Sequence, residues 1–79
     1  MKEITAPVQN DHSFGDFIRI RRMQLNLTQA DVANGVGTTQ GYISRLEAGT
    51  KEPTLTLSLK ICDILGLDIN EYAKRITGS

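Results

Sequence analysis

The sequence predicts an all-α domain of five short helices, and three observations carry that prediction. Apolar residues recur at three- and four-residue spacing in five separate stretches, the period of a helix with one buried face. Four of those stretches open on Ser13, Thr28, Thr39 and Asp68, residue types whose side-chain oxygen closes a helix N-terminus. The aromatics are few (Phe14, Phe17, Tyr42 and Tyr72, with no Trp), which favours a bundle filled by Leu, Ile and Val over an aromatic-rich β-barrel.

Residues 1–12 read as a flexible tail, because Pro7, Asn10 and Asp11 discourage regular structure. A DNA-contacting arm and a short strand at 4–8 are the lesser readings. The domain spans 13–77. Its first helix begins after Ser13, with Asp16 three residues on; Phe14, Phe17, Ile18 and Leu25 mark the inner face, and Asn26 is a polar break. The second is capped by Thr28 and runs from Gln29 to about Val36, with Asp31 in its first turn favouring the helix dipole. Val32, Ala33 and Val36 face inward, and Gly37 stands where a helix ends in a left-handed residue. The third is capped by Thr39, runs from Gln40 to about Ala48 and stops at Gly49. By the 3.6-residue period Ile43 and Leu46 point inward, while Gln40, Gly41, Ser44 and Arg45 point outward. After the loop at 50–53, a fourth helix runs from about Thr56 to Leu65 with Leu57, Ile61, Ile64 and Leu65 apolar, and ends at Gly66. The fifth starts after Asp68, which pairs with Glu71 as a capping box and precedes Ile69, Tyr72, Ala73 and Ile76.

The window from Thr28 to Gly49 holds most of the functional information. It comprises two short helices joined by a tight glycine turn, each opening on Thr-Gln. That is the layout by which a helix-turn-helix presents its second helix to the major groove of DNA. Composition restricts the partner. At 79 residues there is room for one domain. Nine Lys and Arg balance nine Asp and Glu. A neutral chain is not a bulk nucleic-acid coater, so DNA binding requires local charge: Arg19, Arg21 and Arg22, then Arg45 and Lys51, against a later acidic set of Asp63, Asp68 and Glu71. Cys62 is the single cysteine, which excludes an internal disulfide, favours a cytoplasmic protein and reads as a core filler rather than a reactive thiol. No apolar run reaches transmembrane length, and the N-terminus lacks the apolar core of a secretory signal. His12 and Cys62 are too few for a metal site. No nucleophile–base set or phosphate loop marks an enzyme, and no cofactor is implied.

The sequence resembles the Cro and phage-repressor family of helix-turn-helix regulators, also called the Xre family, over roughly residues 14–72. The resemblance is carried by Phe14-Gly15, Ile18-Arg19, Arg22, Leu27-Thr28-Gln29, Val32-Ala33, Gly37, Ile43-Ser44, Glu47, Gly49, Pro53, Ile61 and Leu65-Gly66. It implies a five-helix, λ-repressor-like DNA-binding domain acting as a homodimer on a palindromic operator. Three positions depart from the family pattern. Thr38 occupies a usually aliphatic turn position. Gly41 stands where a polar base reader is usual, and Leu57-Ser58 inverts the usual polar-then-aliphatic order.

Within that reading each residue has an expected task. Gln40 offers a donor and an acceptor matching the N6 and N7 edge of adenine, with an ordinary exposed residue at a helix start as its other reading, and Arg45 suits O6 and N7 of guanine, with a phosphate contact or a surface ion pair as its other reading. Ser44 is small enough to approach a base or phosphate, and Gly41 either lets the helix sit deep in the groove or lets a thymine methyl pack against its backbone. Gln29, by the resemblance, bridges a phosphate and Gln40. Thr38, Thr39 and Lys51 are phosphate candidates, although capping alone accounts for Thr39. Tyr42 has two readings, a phosphate contact or packing against the domain. By the resemblance, Arg22 and Glu47 form a structural ion pair. Leu67, Ile69, Tyr72 and Ile76 are the dimer candidates, with closure of the monomer core as their other reading. The expected function is a sequence-specific regulator, with steric repression as the simplest action because nothing beyond the domain could hold a ligand sensor. Activation through contact with RNA polymerase is the alternative sign. An antitoxin-type module binding a toxin protein, with autoregulatory DNA binding, is the alternative class.

Overall fold

The computed structural model describes residues 13–77, and the side chains of the last helix as far as Lys74. The expectations for the tail at 1–12, with His12, and for the Ile76 side chain lie outside the described residues. Five helices follow one another: α1 (Phe14–Gln24), α2 (Gln29–Val36), α3 (Gln40–Ala48), α4 (Leu55–Leu65) and α5 (Ile69–Thr77). The chain is all-α, as the sequence predicts. α3 packs on α1 and α2, α4 closes the other side of the same pair, and α5 leans on α4.

The helix starts follow side-chain chemistry. The hydroxyls of Ser13, Thr28, Thr39 and Thr54 accept from the backbone N–H groups of Asp16, Asp31, Tyr42 and Leu57, at 3.0–3.1 Å. Each satisfies one of the donors that a helix leaves unpaired at its start. At α2 the cap is reciprocal, because the Asp31 carboxylate accepts from the Thr28 N–H at 2.8 Å. The box expected at α5 differs: the Asp68 carboxylate accepts from Asn70 N–H, while Glu71 N–H goes to the Asp68 carbonyl. The two hydrogen bonds from Thr28, backbone first and hydroxyl second, hold Asp31 below its ordinary carboxylate range. Because the folded value is depressed, this contribution to stability is present above the unfolded value near 3.8. It is lost as pH falls through the folded value. Melting wild type and Asp31→Asn across pH should therefore show a gap that is widest near neutrality and narrows below about pH 4. A gap independent of pH would sink that assignment.

The core is Phe14, Phe17, Ile18, Val32, Ala33, Val36, Ile43, Leu46, Ile61, Cys62 and Leu65. Tyr72 docks α5 on α1, edge-on to Phe14 at 5.3 Å and tilted against Phe17 at 5.6 Å. Cys62 is part of this packing, and burial, helped by the Asp68 carboxylate, pushes its thiol up.

Three expectations about facing change. Leu25 is exposed: it is the C-cap of α1, and the chain turns away at Asn26, whose φ is +58°. Ile64 lies at the rim, where its Cδ1 covers α2 at Gly35 instead of entering the core. α4 begins one residue earlier than expected, capped by Thr54, and buries Ser58 while Leu55 and Leu59 face out. The inverted Leu57-Ser58 pair is thereby accommodated. Leu57 packs half-buried against the core, and the Ser58 hydroxyl donates to the Thr54 carbonyl at 2.9 Å.

Candidate nucleic-acid interface

The site is built on the turn between α2 and α3. Gly37 ends α2 with φ 80° and ψ 34°, a left-handed conformation that a side chain disfavours. The N–H groups of Gly37 and Thr38 both donate to the Ala33 carbonyl at 2.9 Å, reversing the chain within two residues. Thr38 is half-buried there, and Thr39 caps α3. α3 then buries Ile43 and Leu46 completely and turns Gln40, Gly41, Ser44 and Arg45 out. No protein group among the described residues hydrogen-bonds the side chains of Gln40, Ser44 or Arg45.

Behind that face sits a charged network. Arg22 of α1 donates to Glu47 of α3 through Nε at 2.7 Å and Nη2 at 2.9 Å, a two-pronged pair with planar complementarity. Its Nη1 donates to the Leu27 carbonyl at 2.8 Å, just before the cap of α2. The Arg22 and Glu47 side chains are 14% and 4% exposed, so both charges are largely removed from water. The hydrogen bond to Glu47 raises the Arg22 pKa, aided by the Coulomb attraction and opposed by burial.

Gln29 belongs to the same network. Its Nε2 donates to Glu47 Oε1 at 3.1 Å, whereas the sequence reading paired it with Gln40. The first residue of α2 is thus tied to the last turn of α3. Glu47 holds Arg22 and Gln29 at once, so three helices meet on one carboxylate. Nothing in the sequence marks a Gln29–Glu47 pair, since the two residues lie on different helices.

The remaining candidates divide. Tyr42 is half-buried and packs on the core, and the Lys51 ammonium lies 5.7 Å from its ring centroid. The arginines of α1 serve the fold and are not a free basic patch: Arg19 pairs with Asp16 at 3.2 Å, and Arg21 Nε donates to the Leu65 carbonyl at 2.9 Å. Leu67, Ile69 and Tyr72 are partly buried against the monomer's own core. Among the described residues there is no cluster of three His, Cys, Asp or Glu that could hold a metal ion, and no helix is long and apolar enough to cross a membrane.

This arrangement matches known proteins. Residues 18–72 match the helix-turn-helix family model. The transcriptional regulator ClgR of Mycobacterium tuberculosis (strain H37Rv) is 36% identical over 56 residues, covering 71% of this chain and 50% of that protein. The chain thus spans half the length of that relative. An uncharacterized HTH-type transcriptional regulator of Methanothermobacter thermautotrophicus is 43% identical over 49 residues, 62% of this chain and 71% of that one. The crystal structure of the clp gene regulator ClgR from Corynebacterium glutamicum superposes with a TM-score of 0.76 at 26% identity, covering 87% of this chain and 73% of that one. With a family match across most of its length and the helix-turn-helix geometry in place, the chain belongs to the Xre/Cro-like helix-turn-helix family.

Proposed function

We propose that this protein is a sequence-specific double-stranded DNA-binding transcriptional regulator, acting as a repressor on a palindromic operator. The observation that carries the reading is the outer face of α3. Its polar side chains Gln40, Ser44 and Arg45 are exposed and unpartnered among the described residues, on a helix whose opposite side is locked into the core. Gln40 reads an adenine edge, Arg45 a guanine edge and Ser44 a base or phosphate, with Gly41 allowing close approach. Gln29 at the start of α2, Thr38 and Thr39 in the turn, the Tyr42 hydroxyl and Lys51 contact phosphates and fix register.

The protein acts as a homodimer, with α5 and the α4–α5 junction as its contact surface. Ile69 and Tyr72 line an open cavity of about 460 Å³ together with Phe14, Pro53 and Leu55, and Leu55 is 72% exposed at its edge. A second subunit covering that edge would remove an apolar surface from water. Two recognition helices about 34 Å apart would then meet half-sites about 10 bp apart.

The test is selection from a randomised duplex library at near-physiological salt. Wild type should enrich an inverted repeat, and Gln40→Ala should lose it. Weak, salt-sensitive binding without any enriched sequence would overturn the proposal.

A further inference from the structure

The residue on the α3 face that most needs explaining is Gly41. A glycine inside a helix is destabilising by about 1 kcal/mol relative to alanine. Here it lies on the exposed face, where no backbone crowds it and φ is not positive. Neither close packing nor a left-handed turn requires it. The nearest foreign atom to a Cβ built at Gly41 is Nη1 of Arg45, at 3.8 Å. The guanidinium of Arg45 therefore lies back along α3 and over the missing side chain. That is the direction the helix imposes, because side chains lean toward the N-terminus and meet their neighbour four residues earlier.

The other arginines with described side chains all have partners: Asp16 and Met23 for Arg19, Leu65 and Gln24 for Arg21, Glu47 and Leu27 for Arg22. Among the described residues, Arg45 alone of these keeps its guanidinium without a hydrogen-bond or ion-pair partner. Its Nη1 lies over position 41, in the first turn of a recognition helix that meets base edges.

We infer that Gly41 is a specificity-determining residue: by lacking a side chain it lets Arg45 lie over position 41 and read a guanine beside the base read by Gln40. The inference rests on the proposed DNA-binding function and deepens it. A long side chain at 41 would occupy the space of the guanidinium and bring its own donors and acceptors to the same base pair. Gly41 thus acts through Arg45, and the preferred base at one position of each half-site depends on both residues.

The test is the same duplex selection carried out on the full chain with wild type, Arg45→Ala and Gly41→Gln, each checked by thermal melting. Gly41→Gln replaces an exposed helix glycine with a better helix former, so it is expected to fold. Wild type should enrich a guanine at one position per half-site. Arg45→Ala should lose that preference and bind the selected operator about 10- to 100-fold more weakly. Gly41→Gln should change or flatten the preference at that same position, leaving the other positions of the repeat as they were. Retention of the same guanine by Gly41→Gln overturns the inference, as does an unchanged base preference in Arg45→Ala. Those results leave the operator itself intact and so differ from failure of the underlying reading, in which wild type enriches nothing and both fall.

Discussion

Glu47→Ala is expected to lower the melting temperature by at least about 12 °C. The figure follows from what the carboxylate holds. Arg22 is 14% exposed and donates two hydrogen bonds to it, and the Gln29 amide donates to the same group. Removing Glu47 leaves a largely desolvated guanidinium with one remaining partner, the Leu27 carbonyl. Breaking such a pair from one side costs about 3–5 kcal/mol, because the surviving charge stays out of water. In a domain this small, each kcal/mol moves the midpoint by about 4–8 °C. Replacing both charges with apolar residues of similar volume (Arg22→Met with Glu47→Leu) should cost much less, since no charge is then stranded. Circular dichroism melts of the single and double variants separate the cases. A single variant that melts like wild type would show that the pair contributes no more than an exposed surface bridge. Below its midpoint, Glu47→Ala should still select the wild-type operator, because the carboxylate stands behind the reading face.

The sequence announces this pair through types and resemblance, and it announces the helices through capping residues and period. Those signals are local: a Thr or Ser before an apolar stripe acts within one turn, so the starts of α1, α2 and α3 are legible to the residue. What is illegible is set by partners far along the chain. Gln29 finds Glu47 because the last turn of α3 comes within hydrogen-bond reach of the start of α2. Arg21 finds the Leu65 carbonyl because α4 ends against α1. The facing of α4 is left open by the sequence for the same reason. Leu55, Leu57, Leu59, Ile61, Ile64 and Leu65 offer apolar residues around much of the helix, so period alone does not select the stripe that α1 and α2 cover. For Tyr72 the sequence leaves a dimer contact and closure of the monomer core both open, and its ring packs on Phe14 and Phe17. At the candidate interface the outward set on α3 follows from simple periodicity, whereas the interplay of Arg45 with Gly41 depends on a side-chain conformation.

Gly15→Ala should destabilise the domain by about 3 kcal/mol, the upper part of the usual cost of overpacking. Helix propensity alone predicts the reverse, since alanine is favoured over glycine by about 1 kcal/mol in a helix interior. Packing decides the sign. α1 crosses α3 at Gly15 so closely that an added Cβ would overlap the Leu46 carbonyl oxygen and come within 2.9 Å of Glu47 Cα and 3.0 Å of its carbonyl oxygen. All three obstacles are backbone, which cannot rotate aside as a side chain can. The helices must part, and Leu46, which seals the core at 2% exposure, moves with them. Glu47 is the next residue, so the separation also draws the carboxylate away from Arg22 and loosens the hold on the recognition helix. Gly41→Ala provides the matched contrast: it too is a helix glycine, but an added Cβ meets only Arg45 Nη1, at 3.8 Å. Its melting temperature should rise while that of Gly15→Ala falls by about 12 °C or more. If both variants rise, propensity governs both sites, and the close crossing of α1 and α3 is not what holds the recognition helix in place.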